Sequence, residues 1–154
     1  MALPESFHAE SLYDPEQWYV HELLEVDAER VVAVCDTREL ERSPIVAAQR
    51  PWPSQPKHVP GMVMVQITGT LGNLHAVFGL GLRMSEGWIG FGTNILDAKF
   101  RGLGRLGPPL HCTLVAEDLR RVEGASFVTY RFRFEQDGKA IYTSRQRAAW
   151  RQTT

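Results

Sequence analysis

The stretch from Val59 to Phe78, VPGMVMVQITGTLGNLHAVF, decides how the rest of the chain is read. Pro60-Gly61 punctuates the chain, and Met62 to Phe78 then runs without a single Asp or Glu. Met, Val, Ile, Leu and small residues fall on most faces of this segment, a pattern that predicts a helix buried nearly all round. Gly69 and Gly72 lower its intrinsic propensity by about 1 kcal/mol each, and they let other backbone come close. Gln66, Thr70 and Asn73 stand at i, i+4 and i+7, so they share one face of that helix. A polar stripe on a buried helix needs hydrogen-bond partners. Those partners are either neighbouring backbone and a second subunit, or a bound substrate and a water.

Upstream, Thr37 to Pro60 holds Pro44, Pro51, Pro53, Pro56 and Pro60. Prolines this close together leave loop or extended chain, and so long a connection is usually packed over a site. Before it, Val31 to Cys35 reads as a strand, and Val20 to Val26 fits either a helix or the other half of a hairpin. Asp14-Pro15-Glu16 is a helix start and predicts a short helix to about Tyr19. Downstream the chain reads as β. Ser126, Val128, Tyr130, Phe132 and Phe134 alternate with Phe127, Thr129, Arg131, Arg133 and Glu135, a period of two. Asp137-Gly138 is a hairpin turn, and Ala140 to Trp150 is the return strand. Trp88 to Phe100 and His111 to Leu119 complete an antiparallel meander, with the Gly- and Pro-rich loop Gly102 to Pro109 between them.

The length of 154 residues fits one domain with a real core. Seventeen basic against 18 acidic residues give a formal net charge of −1, without the basic excess that phosphate-gripping proteins carry, so no nucleic-acid partner is expected. Cys35 and Cys112 read as two reduced, buried thiols. The first ten residues lack a basic start and an apolar run, and Met62 to Leu82 is too rich in glycine and polar residues for a membrane span. A cytoplasmic protein without a membrane partner is the simplest expectation. No metal-ligand spacing is present, and Gly102, Gly104 and Gly107 lack the βαβ setting of a dinucleotide fingerprint.

The order of elements, and several motifs within it, resemble the hydroxyacyl-carrier-protein dehydratases of fatty acid synthesis. His21 to Val34 (HELLEVDAERVVAV) is similar to their opening hairpin, and Val59-Pro60-Gly61-Met62-Val63-Met64-Val65-Gln66 to the start of their central helix. Asp97 to Arg101 with the loop to Pro109 resembles the following strand and its thioester-side loop, and Asp137-Gly138-Lys139 their last hairpin. The resemblance spans about Val20 to Trp150. It implies an α+β hot-dog fold, a curled antiparallel sheet around one long buried central helix. It also implies a homodimer, or a dimer of dimers, with the Trp88 to Phe100 strands adjacent across the two-fold axis.

The departures bear on chemistry. Those dehydratases carry H-F-P-G-x-P-x-x-P-G before the helix, and its His is the base. With Pro60-Gly61 laid on the second P-G, Trp52-Pro53 stands where H-F would be. The helical Glu of the family corresponds to Gln66, and the Gln one turn later to Thr70. An amide does not exchange protons near neutral pH, so the usual acid–base pair is missing. Lys57-His58, Asp97 to Arg101 and Leu114 to Leu119 are similar to the mycobacterial long-chain acyl-CoA thioesterases, where uncharged polar side chains position substrate and water.

The resemblance therefore implies a protein that handles an acyl thioester. A thioesterase is the first expectation; a dehydratase or isomerase with displaced residues, and a non-catalytic acyl-binding protein, are the alternatives. Gln66, Thr70 and Asn73 are the candidate polar face. The free amides of Gly61 and Met62, at the positive end of the helix dipole, are candidate donors to a thioester carbonyl. His58 is a candidate base at the helix entrance, or a surface residue; Asp97 is a candidate base from across an interface, or a salt-bridge partner. Lys99, Arg101 and Arg105 either meet the phosphates of coenzyme A or a carrier arm, or are simply solvated. His75 and His111 read as structural. Leu74, Phe78 and Trp88 are expected to close the acyl tunnel. No cofactor is expected beyond the coenzyme A or phosphopantetheine that carries the substrate, with an acyl carrier protein as a possible partner.

Overall fold

The computed structural model describes residues 1–153. Its centre is the helix α2, Gly61–Leu74, continued by a wider π turn over His75–Gly79. A six-stranded antiparallel sheet runs in the order β1-β2-β6-β7-β8-β4. These strands are β1 (Glu22–Val26), β2 (Arg30–Cys35), β4 (Trp88–Phe100), β6 (Leu110–Val122), β7 (Ala125–Gln136) and β8 (Lys139–Gln152). A two-stranded ribbon joins β3 (His58–Val59) to β5 (Gly104–Arg105). The helix touches β2, β4 and β6, so the sheet curls over it from both ends of the strand order.

Local chemistry explains the strand order. Asp27 Oδ1 accepts the amides of Glu29 and Arg30 at 2.8 and 2.9 Å, which turns the chain between β1 and β2. Asp137 and Gly138 both have positive φ, 48° and 72°, the conformation that a tight hairpin between β7 and β8 demands. The period of two in β7 sends Val128, Tyr130, Phe132 and Phe134 into the core, none more than 2% exposed. They meet Val63, Met64, Ile67, Leu71 and Leu74 of the helix in one apolar cluster. Burying a side chain of this size stabilises by about 1.5–3 kcal/mol, so this contact dominates the fold.

Several elements differ from the sequence-based expectation. The helix expected from Asp14 to Tyr19 is only a 3₁₀ turn over Pro15–Gln17; the Asp14 side chain makes no cap, and Tyr19 turns to φ 55°. An unforeseen 3₁₀ turn, Glu5–Glu10, precedes it and plants Phe7 in the core against Trp18. The proline-rich connection contains a 3₁₀ turn at Glu39–Arg42 and a short helix α1 at Pro44–Ala47, because Pro44 sits at the first helical position, where its missing N–H costs nothing. Leu40 and Val46 from these turns are buried, which ties the connection to the core. The ambiguous Val20 to Val26 segment resolves as a strand from Glu22.

The loop from Gly102 to Pro109 is pinned rather than free. Thr37 Oγ1 donates to Pro108 O at 2.8 Å and accepts the Gly107 amide at 2.8 Å. Gln136 accepts the Arg105 amide and donates to the carbonyls of Arg105 and Pro108. Cys35 and Cys112 are free and buried, and burial pushes the Cys35 thiol up to about 12. Among the described residues, no helix is long and apolar enough to cross a membrane.

Candidate functional site

A cavity of about 400 Å³ opens between the second half of α2, the start of β4 and the N-terminal segment. Trp18, Trp88, Phe91, Tyr130, Phe132 and Trp150 give it a largely aromatic wall. The heteroatoms of two of these rings are already engaged elsewhere. Trp18 Nε1 donates to Ser11 Oγ and Tyr13 O at 2.9 and 2.8 Å, and the Tyr130 hydroxyl is 2.9 Å from His75 Nδ1. What these two residues offer the cavity is apolar ring surface.

The three polar helix residues singled out in the sequence all line this cavity. Each also reaches a carbonyl of the N-terminal segment. Thr70 Oγ1 donates to Trp18 O at 2.9 Å, and Asn73 Nδ2 to Glu10 O at 2.9 Å. Gln66 Nε2 points at Gln17 O across 3.4 Å. Normal N–H···O bonds fall between about 2.7 and 3.2 Å, so Thr70 and Asn73 are committed to holding the segment, and Gln66 is only weakly held.

Nothing in the local pattern singles out Glu10. Its carboxylate lines the cavity and is 8% exposed; it accepts the Ser85 hydroxyl at 2.5 Å and the Ser85 amide at 3.2 Å. Burial pushes its pKa up, but the Ser85 hydroxyl, the amides of Ser85 and Met84, and the Arg83 charge together outweigh this and leave it below the ordinary value. Glu10 is therefore an anion at neutral pH that fastens the Glu5–Glu10 turn to the mouth of the cavity. A carboxylate distant in sequence becomes visible only when Ser85 folds back onto it.

The remaining candidates lie elsewhere. At the start of α2, Val63 and Met64 donate to Pro60 O at 3.0 and 3.4 Å, which leaves the Gly61 and Met62 amides without a backbone acceptor among the described residues. They stand five and four residues before Gln66, roughly 6–8 Å along the helix axis. His58 is half-buried in β3, and its backbone amide and carbonyl are both held by the Gln49 side chain at 3.0 and 2.7 Å. Asp97 is exposed on β4 directly across from Arg145. Arg101 donates to Thr143 Oγ1 at 2.9 Å, Arg105 pairs with Asp137, and Lys99 is exposed. None of these lines the cavity. Trp88 does; Leu74 and Phe78 pack in or against the core instead.

No protein-family model matches the sequence, and no curated protein matches it. Solved structures do share its fold. A mutant of the thioesterase PA1618 from Pseudomonas aeruginosa superposes with a TM-score of 0.61 at 15% identity, over 93% of this chain and 97% of that one. The thioesterase HI1161 from Haemophilus influenzae gives 0.64 at 16% identity, over 96% and 87%. The dehydratase heterocomplex ApeI:P from Xenorhabdus doucetiae gives 0.61 at 14% identity, over 92% and 87%.

Proposed function

We propose that this chain, whose fold is the hot-dog fold, hydrolyses an acyl thioester carried on coenzyme A or on an acyl carrier protein. The observation that carries this reading is the aromatic cavity with the loosely held Gln66 amide on its wall. An apolar slot with few polar groups is what an acyl chain needs, and the polar groups fix its orientation. The acyl chain lies in the slot, and Gln66 releases Gln17 O to orient the thioester and a water. The thioester head stays outside the slot, beyond Gln66 and toward the start of α2. There the unpaired Gly61 and Met62 amides and the positive end of the helix dipole stabilise the oxyanion that forms when water adds to the carbonyl carbon. Collapse of that adduct breaks the C–S bond, the proton given up by the water passes to the departing sulfur, and a carboxylic acid and a free thiol result.

The reading includes a second copy of the chain. β4 is an edge strand, and Ile89, Phe91, Ile95, Leu96 and Phe100 on it are 41–56% exposed. A long apolar edge of this kind is a template for pairing with another strand. Pairing β4 to its copy extends the sheet across a two-fold axis and satisfies the backbone groups of its free edge.

Acyl binding without turnover is the second reading. Among the described residues on the cavity wall, Glu10 is the only carboxylate, it is engaged by Ser85, and no histidine joins it. Incubation with a series of acyl-CoAs, with free thiol and enoyl absorbance both followed, separates the possibilities. Thiol release above background supports hydrolysis, enoyl absorbance from hydroxyacyl thioesters means dehydration, and saturable binding without either means a binding protein.

A further inference from the structure

Four glycines line the cavity, and the structure gives a reason for only some of them. Gly90 is required by packing: a Cβ there would fall 2.1 Å from Trp150 Nε1. Gly72 sits in ordinary contact with the Tyr130 ring. Gly69 on the helix and Gly92 on β4 are different. A Cβ at either position would meet nothing within 4 Å, and neither residue has the positive φ that excludes side chains. Each also costs stability where it stands, by about 0.5–1 kcal/mol relative to alanine in a helix or strand interior. Gly92 stands at a β-bulge, where the register with β8 shifts between Gly92 and Asn94, but without a positive φ the bulge leaves room for a side chain there. Two exposed glycines that no turn and no close contact requires thus line one cavity, one from α2 and one from β4.

We propose that Gly69 and Gly92 are specificity-determining residues, which keep open the space that an acyl group occupies between α2 and β4. The proposal rests on the acyl-thioester reading of the same cavity and names the residues that set the width of its slot. Gly92 stands two residues from Gly90, whose face of β4 carries the Trp150 ring, and both Gly92 and its pairing partner Ala148 line the cavity, so the space at Gly92 opens on it. A second copy that pairs along the edge of β4 joins in the plane of the sheet and leaves that face to the ligand. Side chains at these two positions reach into the slot from both sides, and a long or bulky acyl group loses more than a short one.

The experiment uses the full chain and its own fluorescence. Three of the four tryptophans, Trp18, Trp88 and Trp150, line the cavity, and the fourth, Trp52, is exposed and removable as Trp52→Phe. In that background, Gly69→Ala, Gly92→Ala and Gly92→Val are titrated with butyryl-, octanoyl- and dodecanoyl-CoA, alongside melting temperature and sedimentation. The expected result is that Gly69→Ala and Gly92→Ala melt no lower than their parent. Dodecanoyl-CoA weakens by about tenfold or more relative to butyryl-CoA, the scale of misfit in an apolar pocket. Gly92→Val extends the trend. Parallel or absent changes across the three chain lengths overturn the assignment, as does a change in oligomeric state without a change in the profile, which gives the space to a partner subunit. A parent protein that neither binds nor turns over any acyl-CoA overturns the acyl reading itself, a result distinct from unchanged variants of a binding-competent parent.

Discussion

Nδ1 of His75 accepts the hydroxyl proton of Tyr130 across 2.9 Å, and the opposite ring nitrogen faces the carbonyl of Ala28 at 3.0 Å. A carbonyl can only accept, so Nε2 carries the imidazole proton and Nδ1 is left as the acceptor for Tyr130. The pair joins the cavity wall, through Tyr130, to the turn between β1 and β2. Both side chains are buried, at 0 and 2% exposure, which makes each end of the bond costly to leave unpaired.

Acid destabilises the protein through this site. Burial holds the His75 imidazole below its ordinary 6.5. The unfolded chain takes up protons near 6.5 while the folded chain still refuses them. The contribution is therefore complete above pH 6.5 and declines as pH falls below it. Melting temperature measured from pH 7.5 down to 5.5 is expected to drop, and a level profile would argue against a neutral buried His75. Tyr130→Phe removes the donor to Nδ1 and is expected to cost about 1–3 kcal/mol at neutral pH.

Gly79 is fixed by a close approach that no side chain survives. A Cβ there would lie 2.3 Å from the carbonyl oxygen of Asp27 and 3.0 Å from the His75 ring. The obstacle is backbone of the first hairpin, so relief means moving a strand end. Gly79→Ala is expected to lose about 3 kcal/mol or more in denaturant unfolding. Gly69→Ala, also within the helical segment, is expected to lose nothing.

Thr70 and Gln66 stand one turn apart and are expected to separate in function. Thr70 holds Trp18 O with a normal bond, so Thr70→Val costs about 1 kcal/mol of stability through the lost hydrogen bond. Gln66 reaches Gln17 O only at 3.4 Å, so Gln66→Ala leaves the melting temperature within about a degree or two. Its effect falls on turnover, with kcat lowered about tenfold or more at unchanged fold. Equal losses of turnover in the two variants would remove Gln66 from its proposed role.

The edge strand supplies a test of assembly. Ile95 is 54% exposed on β4, so its replacement leaves the monomer core intact. Sedimentation of the parent at micromolar concentration is expected to give a dimer, and Ile95→Lys a weaker one that dissociates on dilution. A monomeric parent would count against pairing through β4.

Tyr142 carries a buried hydroxyl that makes no well-formed hydrogen bond among the described residues, although the Ser144 and Gln146 side chains stand near it, while its ring packs on Phe100 and Phe134. An unsatisfied buried polar group is a cost that the isostere Phe avoids. Tyr142→Phe is expected to be as stable as the parent or more so. Destabilisation beyond about 0.5 kcal/mol would mean that the hydroxyl has a partner, such as a bound water.

The sequence by itself determined the helix, most of the strands and the polar face. Residue spacing carries that information: Gln66, Thr70 and Asn73 recur at helical intervals, and Val128 to Phe134 alternate at the period of a strand. Asp137-Gly138 marked its hairpin because positive φ is a property of those two residues before any packing occurs. The helix expected after Asp14 ends after one 3₁₀ turn because the Asp14 side chain gives it no cap and Tyr19 turns to positive φ, while Phe7 and Trp18 pack together in the core. What those polar side chains hold was decided by tertiary structure. The carbonyls of Glu10, Gln17 and Trp18 come to the helix from a segment roughly fifty residues away or more, and no local pattern records that meeting. The same is true of Glu10 and Ser85, of Gly79 against Asp27, and of the space beside Gly69 and Gly92. Each depends on which backbone arrives within a few ångströms, a quantity set by the closure of the sheet around the helix and by nothing in the residue's own neighbourhood.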